Sequence, residues 1–136
     1  MIRYLIVSLI NGIVFGILDG LINANPFAQK MFQIYKPIAK TSINVPVGII
    51  IDLLYGFIMG FIFLILYSAL PGNSGLIKGI SFALIIWFFR VMMSVVSSWM
   101  MFNVPINTLL YTAATGLIEM LIIGIIYGVF LKPFEL

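Results

Sequence analysis

The chain has 136 residues, of which 63% are hydrophobic and 8% are charged, and its formal net charge is +3. A soluble domain carries about 45–50% apolar and about 25% charged residues, so this chain has too little charge to cover a surface facing water. The composition therefore predicts an integral membrane protein, with the lipid bilayer as its first partner, and argues against a soluble globular domain.

The residue types that are missing narrow the chemistry. The sequence has no cysteine, which removes disulfides, thiolate metal sites and iron–sulfur clusters within the chain. It has no histidine either, which removes the commonest general base and the commonest haem or zinc ligand. We expect no cofactor, no metal site and no catalytic residue, and we do not expect an enzyme. The positive charges form no basic run, so nucleic acid is not an expected partner.

Four apolar stretches predict four transmembrane helices, which at about 20 residues per span use nearly the whole chain as a single transmembrane domain. Pro46 and Pro105 stand in the predicted first turns of the second and fourth spans, where a missing N–H costs nothing. The run from Pro71 to Gly75 predicts a tight turn between the second and third spans. The predicted fold class is an all-α, polytopic four-transmembrane-helix bundle. Its spans lie at about residues 4–23, 47–70, 76–101 and 106–131.

The first predicted span shares features with a secretory signal peptide, because Arg3 precedes an apolar run. Asn11 and Asp19 interrupt that run, so we interpret the segment as a retained helix. Lys and Arg are balanced across the predicted spans, three on each side, and their number does not fix the orientation. Arg3 beside the first span favours both termini on the cytoplasmic side of a prokaryotic cytoplasmic membrane.

The longest connection, from about residue 24 to 46, carries helix signals. Asn25 and Pro26 suit the N-cap and the first position of a short helix, and Pro37 is expected to end it. Apolar residues recur on one face of that helix, which is typical of a helix lying in the plane of the headgroups. These residues are Phe27, Met31, Ile34 and Tyr35. We predict a short interfacial amphipathic helix between the first and second spans, and a surface loop with scattered apolar residues is the alternative.

Small residues recur at every fourth position in each predicted span. Lipid provides no hydrophobic force between helices, so close backbone contact along such ridges supplies the attraction. We therefore predict a compact bundle in which glycines mediate the helix packing. The predicted packing residues are Gly12, Gly16, Gly20, Gly56, Gly60, Gly116 and Gly124.

Each predicted span also holds one ionisable residue, and these are the candidates for function. They are Asp19, Asp52, Arg90 and Glu119. A charge at a helix centre costs about 2.5–3.5 kcal/mol, so such groups are expected to face the interior and find partners. Depths counted at about 1.5 Å per residue place Arg90 and Glu119 near the midplane together with Asn11. The same count places Asp19 and Asp52 in a shallower pair, nearer the 24–46 connection.

The two groups suggest different roles. Arg90 and Glu119 are expected to form an ion pair, and breaking such a buried pair from one side typically costs about 3–5 kcal/mol. That pair either locks the third helix to the fourth or takes part in moving ions or protons. Asp19 and Asp52 have no cation at their depth, and two close carboxylates in a low dielectric are expected to share a proton. Their alternative is a structural contact, or carboxylates reaching toward interfacial water.

Charge in every span, with two acids lacking a cation, leads to the hypothesis of transport or permeation of a proton, ion or small solute. Four tightly packed helices leave little room for a path inside one protomer, so a homo-oligomer is expected. The alternative is a non-catalytic accessory subunit that packs against other subunits of a larger membrane complex. The glycine ridges and the lack of redox ligands fit both hypotheses.

Overall fold

The computed structural model describes residues 1–40 and 42–133, and every regular element in that part of the chain is a helix. A 3₁₀ turn (Phe32–Tyr35) follows α2, and a π-helical turn (Phe88–Met92) joins α4 to α5 in one continuous helix, Gly75–Met101. The helices are α1 (Ile2–Ala24), α2 (Pro26–Met31), α3 (Val45–Leu66), α4 (Gly75–Trp87), α5 (Met93–Met101) and α6 (Ile106–Phe130).

The predicted all-helical class and the four long apolar helices are confirmed. α1, α3, the continuous α4–α5 helix and α6 contain 23, 22, 27 and 25 residues and are apolar enough to cross a membrane. At about 1.5 Å per residue, each is longer than a hydrocarbon layer of about 30 Å. The connections between them are short, except for the segment that carries α2.

Side-chain caps explain where three of the helices begin. The Oδ1 atom of Asn25 accepts a hydrogen bond from the Ala28 N–H at 2.8 Å, so Asn25 caps α2 as predicted. In the same way Asn44 caps α3 and the Ser74 hydroxyl caps α4. Each cap satisfies an N–H group that the first turn of a helix leaves without a partner.

The second long helix ends at Leu66, four residues before the predicted end. The chain turns there because the Lys78 ammonium donates to the carbonyl oxygens of Tyr67 and Leu70, at 2.6 and 2.9 Å. Gly72 then adopts a φ of +121°, which a residue with a side chain rarely does. These features bring the polypeptide back toward the start of α4.

The helices form two antiparallel pairs, α1 with α3 and α4 with α6, and contact between α1 and α6 joins the pairs. The Arg3 Nε atom donates to the carbonyl oxygen of Phe130 at 2.7 Å, so the first and last long helices have their free ends together. We call this end of the bundle the terminal end. The opposite end, which carries α2 and the starts of α3 and α6, is the loop end.

Glycines allow the backbones of α1 and α3 to touch. A Cβ atom added to Gly56 would lie 2.6 Å from the carbonyl oxygen of Ser8 and 2.7 Å from the Cα atom of Gly12. A Cβ added to Gly60 would meet the Ser8 hydroxyl at 2.7 Å. Distances this short leave no room for a side chain, so the α1–α3 contact depends on these glycines.

The α4–α6 pair is built in the same way. A Cβ atom on Gly79 or on Gly124 would overlap the carbonyl oxygen of the other residue. Further along α6, a Cβ atom on Gly116 would lie 2.9 Å from a methyl group of Val91. The two helix pairs therefore rest on the same kind of close backbone contact.

Gly20 differs from its prediction as a packing residue. No described atom outside its own helix segment lies within 4 Å of a Cβ built on Gly20, and the same holds for Gly48 on α3. One turn earlier, a Cβ on Gly16 would lie 3.3 Å from the Asp52 carboxyl oxygen. The helices α1 and α3 therefore separate beyond Gly16, and the Asp52 side chain stands where they part.

Packing is dense at the terminal end and sparse at the loop end. The rings of Phe63, Phe82 and Tyr127 contact one another, with centroids 5.3 to 6.3 Å apart, and tie α3, α4 and α6 together. By contrast, no residue of α5 is buried, and residues 45–55 of α3 are all exposed or half-buried. The bundle is closed by an aromatic core at one end and open at the other.

The glycine contact yields a test of the fold. Gly56→Ala is expected to lower the free energy of unfolding by about 1–3 kcal/mol, because the added methyl group must push α1 away from α3. Gly20→Ala is the matched control, since its Cβ meets open space, and it is expected to leave stability unchanged or raise it by up to about 1 kcal/mol. Thermal unfolding in detergent micelles measures both. Equal effects of the two substitutions would contradict the packing described above.

Candidate functional site

A cavity of about 240 Å³ lies in the loop half of the bundle. Its ionisable lining comes from three different helical segments, namely Asp19 of α1, Arg90 of the π-helical turn and Glu119 of α6. Hydroxyl groups of Ser94 and Thr115 complete the polar side. The cavity thus gathers charged and polar side chains inside a bundle that is otherwise apolar.

Three carboxyl groups converge here. The Asp19 carboxyl interacts with both the Asp52 carboxyl and the Glu119 carboxyl. The sequence places Asp19 and Asp52 in one group and Glu119 in another, deeper group. The structure joins the two groups into a single cluster, which we call the acidic cluster (Asp19, Asp52 and Glu119).

The offset between helices explains this difference. The Tyr111 hydroxyl donates to the carbonyl oxygen of Ile22 at 2.7 Å, so the second turn of α6 is already level with the end of α1. The first turn of α6 therefore extends beyond α1, and Glu119 lies closer to the level of Asp19 than a count from the helix start suggests. Depths counted from the helix ends assume that all helices end at the same level in the membrane. They therefore omit this offset.

Arg90 is the cation of the site, and it is held loosely. Its Nη1 atom lies 3.7 Å from the Glu119 Oε1 atom, beyond the usual range of a hydrogen bond. The Arg90 side chain is 39% exposed, whereas that of Glu119 is 3% exposed. The predicted proximity of Arg90 and Glu119 is present in the structure, but the contact is a half-exposed ion pair and not a sealed one.

The backbone at Arg90 is unusual. Residues Phe88–Met92 form a π-helical turn, which inserts an extra residue into the helix and turns its side chains to a new face. Such turns occur frequently at functional sites. The segment contains no proline or glycine that would have indicated the turn in the sequence.

Charge balance at the cluster is incomplete. Three carboxyl groups face one guanidinium group. Glu119 is 3% exposed, whereas Asp19 and Asp52 are half-buried, so the cost of unbalanced negative charge falls mainly on Glu119. The Glu119 Oε1 atom is buried and accepts no hydrogen bond from the part of the chain that the structure describes. Protonation of one carboxyl group would remove part of this excess negative charge.

Two aromatic residues that were not among the predicted site residues contribute to the site. The fully buried ring of Phe15 lies under the Arg90 guanidinium, with 4.9 Å between the Arg90 Cζ atom and the ring centroid, and fixes the position of that group. Phe32 lines the cavity at the loop end. Phe15 lies midway between Asn11 and Asp19 on one face of α1. This spacing is the signal in the sequence that would have indicated Phe15.

The segment that follows α1 packs against α6 beside the cavity. The Thr108 hydroxyl donates to the carbonyl oxygen of Met31 at 2.7 Å, and the rings of Phe27 and Phe32 lie 5.4 and 5.6 Å from that of Tyr111. The helix predicted in this connection is present in part, as α2 and the 3₁₀ turn that follows it, and Phe27, which is 56% exposed, contacts Tyr111 of α6. The segment brings Phe32 to the lining of the cavity.

Asn11 lies apart from the cavity, on its terminal side. Its Nδ2 atom donates to the carbonyl oxygen of Ile123 at 3.1 Å, one turn along α6 from Glu119. Asn11 is therefore displaced along the helix axis from Arg90 and Glu119, with which it was predicted to form one cluster. Asn11 belongs to a second group of buried polar residues between α1, α3 and α6.

Neither a metal site nor a comparison with known proteins adds to this description of the site. In residues 1–40 and 42–133, no group of three His, Cys, Asp or Glu side chains is arranged to hold a metal ion. No protein-family model, curated protein or solved structure matches the chain. The function is therefore inferred from the acidic cluster and its surroundings.

The loose ion pair leads to a second test. Arg90→Met and Glu119→Gln, combined in a double-mutant cycle, are expected to give a coupling energy of about 1 kcal/mol, because Arg90 is partly exposed and also interacts with Asp52. Unfolding in detergent micelles provides the four free energies. A coupling of about 3–5 kcal/mol would instead mean that Glu119 is the sole counter-charge of Arg90, and zero would mean that they do not interact.

Proposed function

We propose that the chain spans a membrane through its four long helices and moves a proton or small cation across it by way of the acidic cluster. The contact of the Asp19 carboxyl with two further carboxyls, facing a single guanidinium inside an apolar bundle, is the observation that carries the proposal. Ionisable groups within membrane helices typically mark ion or proton pathways.

The outer surface supports membrane insertion. Large apolar side chains such as Ile58 on α3, Phe89 on the third long helix and Ile118 on α6 are more than half exposed. Lipid would cover these side chains, whereas exposure of so large an apolar area to water would be unfavourable. We place both termini on the cytoplasmic side and α2 at the opposite membrane surface, where its Lys30 side chain would meet headgroups.

Access to the cluster is from one end. Arg90 is partly exposed in the loop half of the bundle, whereas the aromatic core of Phe63, Phe82 and Tyr127 closes the terminal half. A proton or cation taken up at the loop end would neutralise the excess negative charge of the cluster. To leave at the terminal end, the proton or cation then needs either a conformational change of the terminal half or a narrower route through it.

Insertion is tested by thiol labelling, because the chain contains no cysteine and single cysteines report cleanly. Ile58→Cys places a thiol on a side chain that is 53% exposed in the isolated bundle. In lipid vesicles this thiol is expected to react with a water-soluble maleimide at least tenfold more slowly than Asn73→Cys, in the turn before α4. Equal rates would show that residue 58 faces water and would contradict the span.

Transport is tested with purified protein in lipid vesicles. Proton flux is followed with an internal pH dye and Na⁺ or K⁺ flux with ion-sensitive dyes, each under an imposed gradient. Asp19→Asn keeps the size of the side chain and removes its charge, and it is expected to lower the flux at least tenfold. Glu135→Gln is the matched control, since Glu135 follows the last helix in the sequence and lies outside the described residues.

The transport proposal is contradicted if the parent protein carries no proton, Na⁺ or K⁺ under any gradient. It is also contradicted if the Asp19→Asn variant carries them as fast as the parent. A flux lost in both Asp19→Asn and Glu135→Gln would also contradict it, because the loss would then not be specific to the acidic cluster.

The accessory-subunit alternative has an observation of its own. No residue of α5 is buried, and the first half of α3 has no buried residue either, so the loop half offers unpartnered apolar faces. We propose that a second copy covers these faces in the transport-active oligomer. Native gels in mild detergent separate the two functions: other polypeptides in fixed stoichiometry would favour a subunit of a complex, and a homo-oligomer alone would favour transport.

A further inference from the structure

The terminal half of the bundle contains buried polar atoms that the acidic cluster does not use. Within the described residues, three buried side-chain atoms have no hydrogen-bond partner: Ser8 Oγ, Asn11 Oδ1 and Glu119 Oε1. Ser8 and Asn11 are completely buried. Glu119 Oε1 has the ion-pair contact with Arg90, but in the described residues no ion pair compensates Ser8 Oγ or Asn11 Oδ1, and a buried polar atom without a partner is costly.

These three atoms follow one another toward the terminal end. Glu119 lines the cavity, and Asn11 contacts Ile123, which is one turn further along α6. Ser8 lies one turn beyond Asn11 on α1. At about 1.5 Å per residue the successive backbone positions are about 6 and 4.5 Å apart along the helix axis. One water that bonds to two oxygens spans about 5–6 Å, which is comparable to this spacing.

Hydroxyl groups continue the series. The Tyr127 hydroxyl donates to the carbonyl oxygen of Gly56. Tyr4, one turn beyond Ser8, donates its hydroxyl to the carbonyl oxygen of Phe57 at 2.7 Å. The polar residues of α1 thus lead from the cavity toward the terminal end along a single face.

We propose that these residues form a proton-transfer route, in which single waters connect Glu119 through Asn11 to Ser8 and the terminal end. The inference rests on the proposed function and narrows its permeant species to the proton. In each step one O–H bond forms on the acceptor oxygen as one breaks on the donor. The Asn11 amide orients water without titrating, while the Ser8 hydroxyl both donates and accepts.

Tight packing favours the proton over other cations. A Cβ atom on Gly60 would lie 2.7 Å from the Ser8 hydroxyl and 3.1 Å from the ring of Tyr127, so a side-chain methyl already crowds this point. A hydrated Na⁺ or K⁺ ion needs far more space than a single water molecule, and this point does not offer it. A proton needs only the single waters of the route, because it moves by exchanging hydrogen bonds.

Ser8→Ala tests the route with little risk to folding. The substitution removes a buried oxygen that has no partner, so thermal stability is expected to stay the same or rise. Proton flux into vesicles, driven by a K⁺ diffusion potential, is expected to fall at least tenfold. Asn11→Leu, of similar size, is expected to lower the flux as strongly. Ser97→Ala on α5 is the matched control and is expected to conduct like the parent.

The outcomes separate this inference from the proposed function. Reduced proton flux in Ser8→Ala with undiminished stability supports the route. Flux within twofold of the parent in Ser8→Ala, together with loss in Asp19→Asn, overturns the route and leaves the proposed function standing. Na⁺ or K⁺ flux without proton flux in the parent has the same consequence. The absence of all three fluxes in the parent overturns both.

Discussion

Backbone contact through glycine is the constraint on which the rest of this bundle depends. At Gly12 and Gly56, and again at Gly79 and Gly124, the helices approach so closely that no side chain fits between them. Because the contact involves backbone atoms, it fixes the rotation of each helix about its own axis. That rotation points the Asp19 and Asp52 side chains at each other and brings Glu119 to face them.

The contact is confined to part of each helix pair, and this limit creates the site. α1 and α3 part beyond Gly16, where the Asp52 carboxyl takes the place of a backbone contact. Toward the terminal end the aromatic core packs densely, and toward the loop end the bundle opens to the cavity. Charged groups at the boundary are shielded enough to interact strongly and remain accessible enough to exchange protons or ions. A uniformly packed bundle would offer no such position.

The residues of the site were predicted more accurately than their grouping. All four ionisable residues are recognised from their positions in apolar stretches, because a charge there is costly and needs a partner. Their division into a shallow pair and a deep pair does not hold, since α6 begins beyond the end of α1 and Glu119 reaches Asp19. Depth along a single helix says nothing about the offset between two helices.

Composition and periodicity alone determined the all-helical class, the four long apolar helices, the Asn25 cap and the glycine ridges, because these features depend on local sequence and on the cost of burying polar groups. Three features required the tertiary structure. The π-helical turn at Arg90 carries no local signal, the separation of the helices at Gly20 depends on Asp52 of the neighbouring helix, and the union of Asp19, Asp52 and Glu119 depends on helix offset. The last two arise from contact between segments distant in the chain, and such contacts are not encoded in the pattern of any one segment.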